Sequence, residues 1–544
     1  MQTSRADHGT TPPRVEIPRD YNAAHDLLER NAGRAAKVAY IDASSGAQLT
    51  YGELADQSHR LANALRALGL PRESRVLLAA LDTPEWPVAF LGSMLAGVVP
   101  VAANTLLTPA DFEFMLRDAR AQALIVSQPL LPQFEACLAD ASRRPAGLQH
   151  VIVAGTDEAG PHLSLRRLVR EASAERTVAD TCSDDACFWL YSSGSTGTPK
   201  GTVHLHSHLI QTAELYGRAV LGIRQSDVVY SAAKLFFAYG LGNALTFPIS
   251  VGATTVLLPS RPTPADVFGV LTKFRPTVFC GVPTLFAGLL ADASRPARDA
   301  LAVRVCTSAG EALPADIGRR WSEAYGSEIL DGIGSTEMLH IFLSNRPGQV
   351  RYGTTGQAVP GYDLRIVGDD GQVCGDGEIG ELQIRGPSAA LMYWNNREKT
   401  KATFAGEWTR SGDKYTRDAD GFYTYGGRSD DMLKVGGIYV SPFEVEASLM
   451  THAAVLECAV IGVADTDGLI KPKACVVLKS GQQASADDLK AHVKAQLAPY
   501  KYPRWIEFAA ELPKTATGKI QRFKLRSAAS QAPAQVAPAA PAAH

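Results

Sequence analysis

From Tyr191 to Gly201 the chain reads Tyr-Ser-Ser-Gly-Ser-Thr-Gly-Thr-Pro-Lys-Gly, a run of small hydroxyl residues, glycines and one lysine that suits phosphate. Glycine lets backbone N–H groups turn toward an anion, hydroxyls add donors, and Lys200 adds a point charge. The same residues limit the fold that can carry them. A P-loop nucleotide triphosphatase sets the lysine of G-x-x-x-x-G-K-[ST] at the start of a helix; here Pro199 precedes Lys200 and Gly201 follows it. Proline biases Thr198 away from helical geometry, so the lysine is expected on a flexible hairpin.

At 544 residues the chain exceeds one comfortable core and should divide into at least two domains. Its formal net charge of -2 indicates neither a nucleic-acid partner nor a polybasic membrane patch. The eight cysteines are scattered without a C-x-x-C pair and read as reduced packing residues of a cytoplasmic protein. The N-terminus is polar and lacks the apolar stretch of a signal peptide. The apolar run Val88 to Ala103, broken by Gly92, Ser93, Gly97 and Pro100, is too short and interrupted for a membrane span and predicts a buried helix followed by a strand.

Short β-branched runs, Val151 to Val153, Thr254 to Leu258, Thr277 to Phe279 and Val303 to Cys306, alternate with amphipathic stretches, the pattern of an α/β fold with mostly parallel strands. From Gly361 the texture changes to Gly/Asp turns and alternating strands such as Gly380–Arg385 and Asp420–Tyr425, predicting a β-rich subdomain. About a hundred residues of mixed pattern follow Gly426 to Asp431, the size of a small independent domain. Ser527 to His544 is almost entirely Ala, Pro, Gln and Ser and is expected to be a disordered tail.

Further constellations lie downstream in the chain. Gly332-Ile-Gly-Ser-Thr-Glu337 puts a carboxylate after a small-residue turn, able to hold the magnesium that accompanies a triphosphate. Trp408-Thr-Arg-Ser-Gly-Asp413 offers a second carboxylate suited to ribose hydroxyls. Arg428 follows a Gly-Gly turn, and Pro513-Lys-Thr-Ala-Thr-Gly-Lys519 ends on a lysine in a glycine-hinged loop.

In this order, from Leu49-Thr-Tyr-Gly-Glu-Leu54 to Lys519, the motifs resemble those of the adenylate-forming superfamily of acyl-CoA synthetases, adenylation domains and luciferases. The resemblance implies a large N-terminal domain of stacked α/β sheets with a β-rich subdomain (1–429), a small mobile α+β C-terminal domain (430–526) and the tail (527–544). It makes Ser192, Ser193, Gly194, Ser195, Thr196 and Lys200 the phosphate loop. Ala309, Gly310 and Glu311, with Asp331, Gly332 and Ile333, line the adenine side. Thr336 is the phosphate-contacting hydroxyl, Glu337 the magnesium ligand, Asp413 the ribose aspartate and Arg428 the ribose and phosphate arginine. The family more often has Thr-Gly-Asp where this chain has Ser411-Gly-Asp413, a change that keeps the hydroxyl. Asp430 is implied as the hinge, Lys434, Gly436 and Gly437 as the lining of the coenzyme A tunnel, and Lys519 as the adenylation lysine.

The chemistry so implied answers a physical problem. A carboxylate is a poor electrophile, so it attacks the α-phosphorus of ATP, expels pyrophosphate and becomes an acyl-adenylate, which a thiol then converts to a thioester. Lys519 would neutralise the two anions as they meet, and Mg2+ with Lys200 would carry the leaving pyrophosphate. The acid is read from Lys234 to Asn243 and Met338 to Phe342. Phe237 stands where many relatives have histidine and where amino-acid-activating ones have aspartate to pair with an ammonium, which argues against an amino-acid substrate. Phe236, Tyr239, Ala309, Gly334, His340 and Ile341 would enclose a flat apolar cavity, and the strings Phe-Phe-Ala-Tyr and Gly-Ser-Thr-Glu-Met-Leu-His-Ile closely resemble bacterial benzoate-CoA ligases.

A benzoate-sized aryl acid is therefore the expected substrate, with ATP, Mg2+ and coenzyme A as its companions and either a monomer or a homodimer as the assembly. A substituted benzoate or short-chain acid, an enzyme loading a carrier protein and a non-catalytic nucleotide-binding regulator remain open alternatives. His204, His206 and His208 alternate in the sequence and would share one side of a strand, but without a clear further ligand group they are not assigned a metal. Lys519→Ala is expected to slow acyl-adenylate formation by about a hundredfold, the scale of losing one charge-stabilising group, while supplied acyl-adenylate is still converted to thioester. Equal loss in the two half-reactions, measured separately, would contradict that role.

Overall fold

The structure, a computed structural model, describes residues 1–140, 142–193, 199–429, 431–435, 438–465, 469–498, 501–514 and 520–531. Two large sheets dominate it. The first has eight strands in the order Met392–Tyr393, Pro199–Leu205, Ala186–Ser193, Val99–Ala102, Arg75–Ala79, Ala123–Ser127, His150–Ala154 and Leu163–Ser164. From Ala186–Ser193 onward the pairing is parallel. The second has nine strands, with Glu328–Gly334, Val305–Ser308, Val278–Gly281, Val228–Ser231, Thr254–Leu257 and Val38–Asp42 parallel and antiparallel strands at both edges. Helices cover both faces of the first sheet: Leu77 and Ala79 enter one core, Val76 and Leu78 another. Two-sided burial is why these strands read as apolar runs without alternation.

Helix starts follow their caps. Thr50, Thr108, Thr263 and Ser485 each accept from the backbone three residues on, while Glu53, Asp111, Asp266 and Asp488 reach back. The run from Val88 forms the helix Glu85–Leu95 and then the strand Val99–Ala102, as its sequence predicts. The β-rich segment is an antiparallel sheet of Asp363–Val367, Gly380–Arg385, Trp408–Arg417 and Phe404–Ala405, with Tyr423–Arg428 paired to Trp408–Arg417.

Beyond it, Val455–Ala464, Ile470–Leu478 and Trp505–Phe508 form a three-stranded sheet with the helices Pro442–Met450, Ala486–Gln496 and Arg522–Gln531. This α+β unit has apolar cores of its own, drawn from residues 433–525. The tail expectation needs correction: Arg522–Gln531 is helical, so residues 527–531 continue a helix. Alanine is the strongest helix former, and the helix is anchored by Leu525 against Ala459, Val477 and Leu512 and by Arg526 on Asp431. Residues 532–544 lie outside the described residues.

The arrangement brings functional segments to one place. Ser192, Ser231, Gly281, Ser308 and Asp331 all lie at or near the carboxyl ends of parallel strands, where open α/β sheets leave their ligand crevices.

Candidate active site

Cys187-Phe-Trp-Leu-Tyr191 and Thr202-Val-His-Leu205 favour extended backbone, and they pair antiparallel with Ser192 opposite Lys200 and Tyr191 opposite Gly201. Lys200 thus sits on a hairpin strand, as Pro199 and Gly201 predict. Gly194, Ser195 and Thr196 lie outside the described residues, as does the side chain of Ser193. The Ser192 hydroxyl is buried without a hydrogen-bond partner among the described residues, a donor in want of an acceptor. Lys200 is half-buried, and burial lowers its pKa against the opposing pull of Glu337. Its Nζ lies 4.7 Å from the centre of the Tyr393 ring.

The second sheet supplies the other half. After the strand Glu328–Gly334 the chain turns through Thr336 and Glu337 and returns as Ile341–Ser344. Gly334 is required by the narrowness of that turn: a Cβ there would lie 2.6 Å from the His340 carbonyl oxygen. His204 Nε2 donates to the Thr336 carbonyl at 2.8 Å, tying turn to hairpin. The Tyr393 hydroxyl donates to Glu337 Oε1 at 2.6 Å, and the Ala390 N–H to the Glu337 carbonyl at 2.7 Å. Asp331 is buried with Oδ1 unpartnered, and burial holds its carboxyl well above the usual carboxylate range despite N–H groups from Leu313 and Gly332.

Asp413 and Arg428 face each other across paired strands, Nη1 to Oδ1 at 3.2 Å. The Ser411 hydroxyl accepts the Asp413 N–H at 3.0 Å, closing the turn that presents Asp413. Ala309 is buried, while Gly310 and Glu311 lie further out, and Glu311 Oε1 accepts the Ile520 N–H at 3.3 Å. That loop is closed at its base by a bridge between Lys514 and Ile520 and a bond from the Gln521 N–H to the Pro513 carbonyl. Lys519, Asp430, Gly436 and Gly437 lie outside the described residues; Lys434 is described by its backbone, paired with Tyr439.

The segment expected to enclose the acid is aromatic. The Tyr239 hydroxyl donates to the Thr307 carbonyl at 2.9 Å, next to Ser308 and Ala309. His340, 2 % exposed, packs among Tyr216, Tyr239 and Phe247 with ring centres 5.3, 5.7 and 4.5 Å away. Its Nε2 donates to the Tyr239 carbonyl at 3.2 Å, leaving Nδ1 buried and unpartnered, and burial lowers its pKa to about 3. Ile341 lies against Gly332, and Phe236 packs at a tilt of 57° on the half-buried Phe237 with ring centres 4.5 Å apart.

The three histidines do not share one side of a strand. The strand ends at Leu205, so His206 and His208 are helical. Burial lowers His204 and His206 to about 4 and His208 well below its ordinary value. His204 pairs with His208, Nδ1 to Nδ1 at 3.0 Å, and His206 Nδ1 accepts the Ala23 N–H at 3.1 Å. They are hydrogen-bonded core residues.

Sequence reasoning missed His204 as a strut, Tyr393, and Asp82. Asp82, 3 % exposed, accepts the Leu235 N–H at 3.3 Å and faces Lys234, whose Nζ donates to the Leu258 carbonyl and, at 2.7 Å, to the Ser260 carbonyl. It anchors the start of the aromatic segment from the bend that follows the strand Arg75–Ala79 of the other sheet. A lone Asp-Thr-Pro after an apolar run carries no sign of that reach.

Residues 27–394 match the family described as AMP-binding enzyme, and residues 444–519 the AMP-binding enzyme C-terminal domain. The chain is 60% identical to a benzoate-CoA ligase of Thauera aromatica over 96% of its length and 99% of that protein's. It is 50% identical to a 4-hydroxybenzoate-CoA/benzoate-CoA ligase of Rhodopseudomonas palustris, over 93% and 94% of the two chains. The crystal structure of a benzoate CoA ligase from Burkholderia xenovorans superposes with a TM-score of 0.87 at 56% identity, covering 93% of this chain and 100% of that one.

Asp82 generates a pH prediction. Burial raises its pKa to about 6, outweighing Lys234 and the Leu235 N–H. The folded chain therefore keeps a proton that the unfolded chain has lost, and this group's contribution to stability falls as pH rises from about 4 to about 6. Asp82→Asn still accepts the Leu235 N–H and should remove that fall, by about 3 kcal/mol at most for a two-unit shift. Melting temperatures at pH 4.5 and 6.5 test this: the variant should gain on the native chain at the higher pH, and parallel changes in both proteins would contradict it.

Proposed function

This chain belongs to the AMP-binding enzyme family, and on that premise we propose that it is a cytoplasmic benzoate-CoA ligase. Benzoate and ATP give benzoyl-adenylate and pyrophosphate; coenzyme A then gives benzoyl-CoA and AMP. One observation carries the reading. The segment from Gly334 to Ile341 serves both halves of a bimolecular reaction, with Thr336 and Glu337 tied to the Lys200 hairpin at its start and His340 and Ile341 in an aromatic wall at its end. The eight free thiols suit a reducing compartment.

The residues present fit ATP and its magnesium. Ser192 offers a buried donor without a partner, Lys200 holds a cation where burial disfavours it, and Glu337 supplies a hard oxygen ligand beside both. Bound Mg2+ would supply charge neutralisation for the leaving pyrophosphate. Thr336 presents a hydroxyl to phosphate, while Asp413, oriented by Arg428, accepts from the ribose hydroxyls. Asp331, whose carboxyl burial holds well above the usual carboxylate range, lies on the adenine side with Ala309 and Glu311.

The carboxylate oxygen of benzoate attacks the α-phosphorus, and the phosphorus–oxygen bond to pyrophosphate breaks. Lys519 neutralises the meeting anions; the bond from Ile520 to Glu311 supports its reach into the site. In the second step sulfur attacks the benzoyl carbon and AMP leaves. Residues 430–526 rotate about Asp430 between the steps and bring Lys434, Gly436 and Gly437 to the pantetheine path. Their separate apolar cores support such movement. Phe236, Tyr239, His340 and Ile341 enclose the ring, burying it by about 2 kcal/mol.

Pyrophosphate release measured over aryl and alkyl acids, with and without coenzyme A, tests the reading. Benzoate should outperform long fatty acids, and the adenylate should be consumed only with coenzyme A; consumption by a carrier protein alone would overturn the coenzyme A step. His340 is assigned to the far end of the substrate ring, a reading its packing among three aromatic rings supports. His340→Ala should raise the ratio of specificity constants for 4-substituted benzoates over benzoate about tenfold, and unchanged selectivity would return it to core packing.

A further inference from the structure

We propose that Tyr393 is a positioning residue for adenylate formation, holding Glu337 and Lys200 in fixed relation before Mg2+ and ATP arrive. The inference rests on the assignment of those two residues to the metal and the phosphates, and adds a side chain that no motif of the sequence marks. Tyr393 lies on the two-residue strand Met392–Tyr393 at the edge of the eight-stranded sheet, opposite Thr202 of the hairpin. Its hydroxyl and its ring face address different partners. The hydroxyl donates to Glu337 Oε1 at 2.6 Å, and the Lys200 ammonium lies 4.7 Å from the ring centre.

The tyrosine is held firmly enough to act as a reference point. It is 3 % exposed. The Leu391 N–H donates to the Val203 carbonyl at 2.9 Å and the Trp394 N–H to the Gly201 carbonyl at 2.7 Å, so the chain is bonded to the hairpin on either side of it. Its own N–H reaches the Thr400 hydroxyl at 3.1 Å, and its ring packs on Phe404 with centres 5.5 Å apart. The same segment grips Glu337 twice, through this hydroxyl and through the Ala390 N–H on the Glu337 carbonyl. The carboxylate is therefore pinned at main chain and at one oxygen, which leaves rotation about that bond as its freedom and the other oxygen as the one offered to a cation.

Filling space under Lys200 needs only a ring. A phenol directed at a carboxylate over 2.6 Å is a charge-assisted bond and fixes orientation. Partners of metal ligands orient them before the metal binds, and their loss typically costs 10–100-fold in affinity or activity. The ring face does similar work for lysine, since a flexible four-carbon stem otherwise disperses its charge over many positions.

Tyr393→Phe separates the two contacts by removing the hydroxyl and keeping the ring; Tyr393→Leu removes both. Mn2+ binding to the full-length protein in the presence of ATP, followed by electron paramagnetic resonance, reads the metal site without turnover. The Phe variant should bind Mn2+ with ATP about tenfold more weakly than the native chain and need correspondingly more Mg2+ for half-maximal pyrophosphate formation. The Leu variant should show in addition a raised KM for ATP. Conversion of supplied benzoyl-adenylate to thioester should be unchanged in both. Native Mn2+ affinity and Mg2+ dependence in the Phe variant would overturn the proposal, as would equal losses in both half-reactions with a lowered melting temperature, the signature of a packing role. A native chain that releases no pyrophosphate with benzoate would instead overturn the functional reading on which the proposal stands.

Discussion

The hydrogen bond from His204 Nε2 to the carbonyl of Thr336 ties the Lys200 hairpin of the first sheet to the turn that follows Gly334 in the second. A carbonyl can only accept, so the ring must carry its proton on Nε2. Burial lowers the His204 pKa to about 4 and keeps the ring neutral, and its Nδ1 lies 3.0 Å from His208 Nδ1. The imidazole also stacks on Phe188, ring centres 5.2 Å apart. A side chain fixed on three sides thus sets the distance between the Lys200 hairpin and the Thr336–Glu337 turn. The Lys200 hairpin of the first sheet is positioned against the second through this contact and the neighbouring one at Tyr393.

The same seam organises the acyl side through a different force. Asp82, from the first sheet, accepts a main-chain N–H of the aromatic segment that belongs to the second, and Lys234 beside it is spent on two carbonyls. Burial disfavours the charge on both partners, raising one pKa and lowering the other. This polar anchor holds down one end of the segment; aromatic contacts among Tyr216, Tyr239, Phe247 and His340 hold the other. The cleft is therefore built from groups that are costly to bury singly and that are positioned by being bonded to one another.

What could be read from the sequence follows from how local each determinant is. The hairpin was legible because Pro199 and Gly201 act on their own backbone. The Asp413 turn was legible because Ser411 lies two residues away, and the strand-rich middle because alternation is a short-range pattern. Asp82, His204 and Tyr393 act across 153, 132 and 56 residues of sequence, and a residue type alone does not reveal a partner that far away. The alternating histidines mislead because strand periodicity stops at Leu205, where the backbone becomes helical. The tail misled for a related reason: low complexity was weighed above the helix propensity of its alanines, which carries Arg522–Gln531 onward from the packed Leu525.

If the His204 bond sets the geometry of the phosphate-handling groups, its loss must be felt in adenylate formation specifically. The direct measurement is the rate of benzoate-dependent pyrophosphate release in His204→Gln and His204→Phe, alongside conversion of supplied benzoyl-adenylate to thioester. Leaving a buried acceptor without its donor costs on the order of 1–3 kcal/mol. The Phe variant should therefore lose about tenfold or more in pyrophosphate release, while the Gln variant, which can still donate, keeps most of it and both retain the thioester step. Pyrophosphate release at the native rate in the Phe variant would contradict the account.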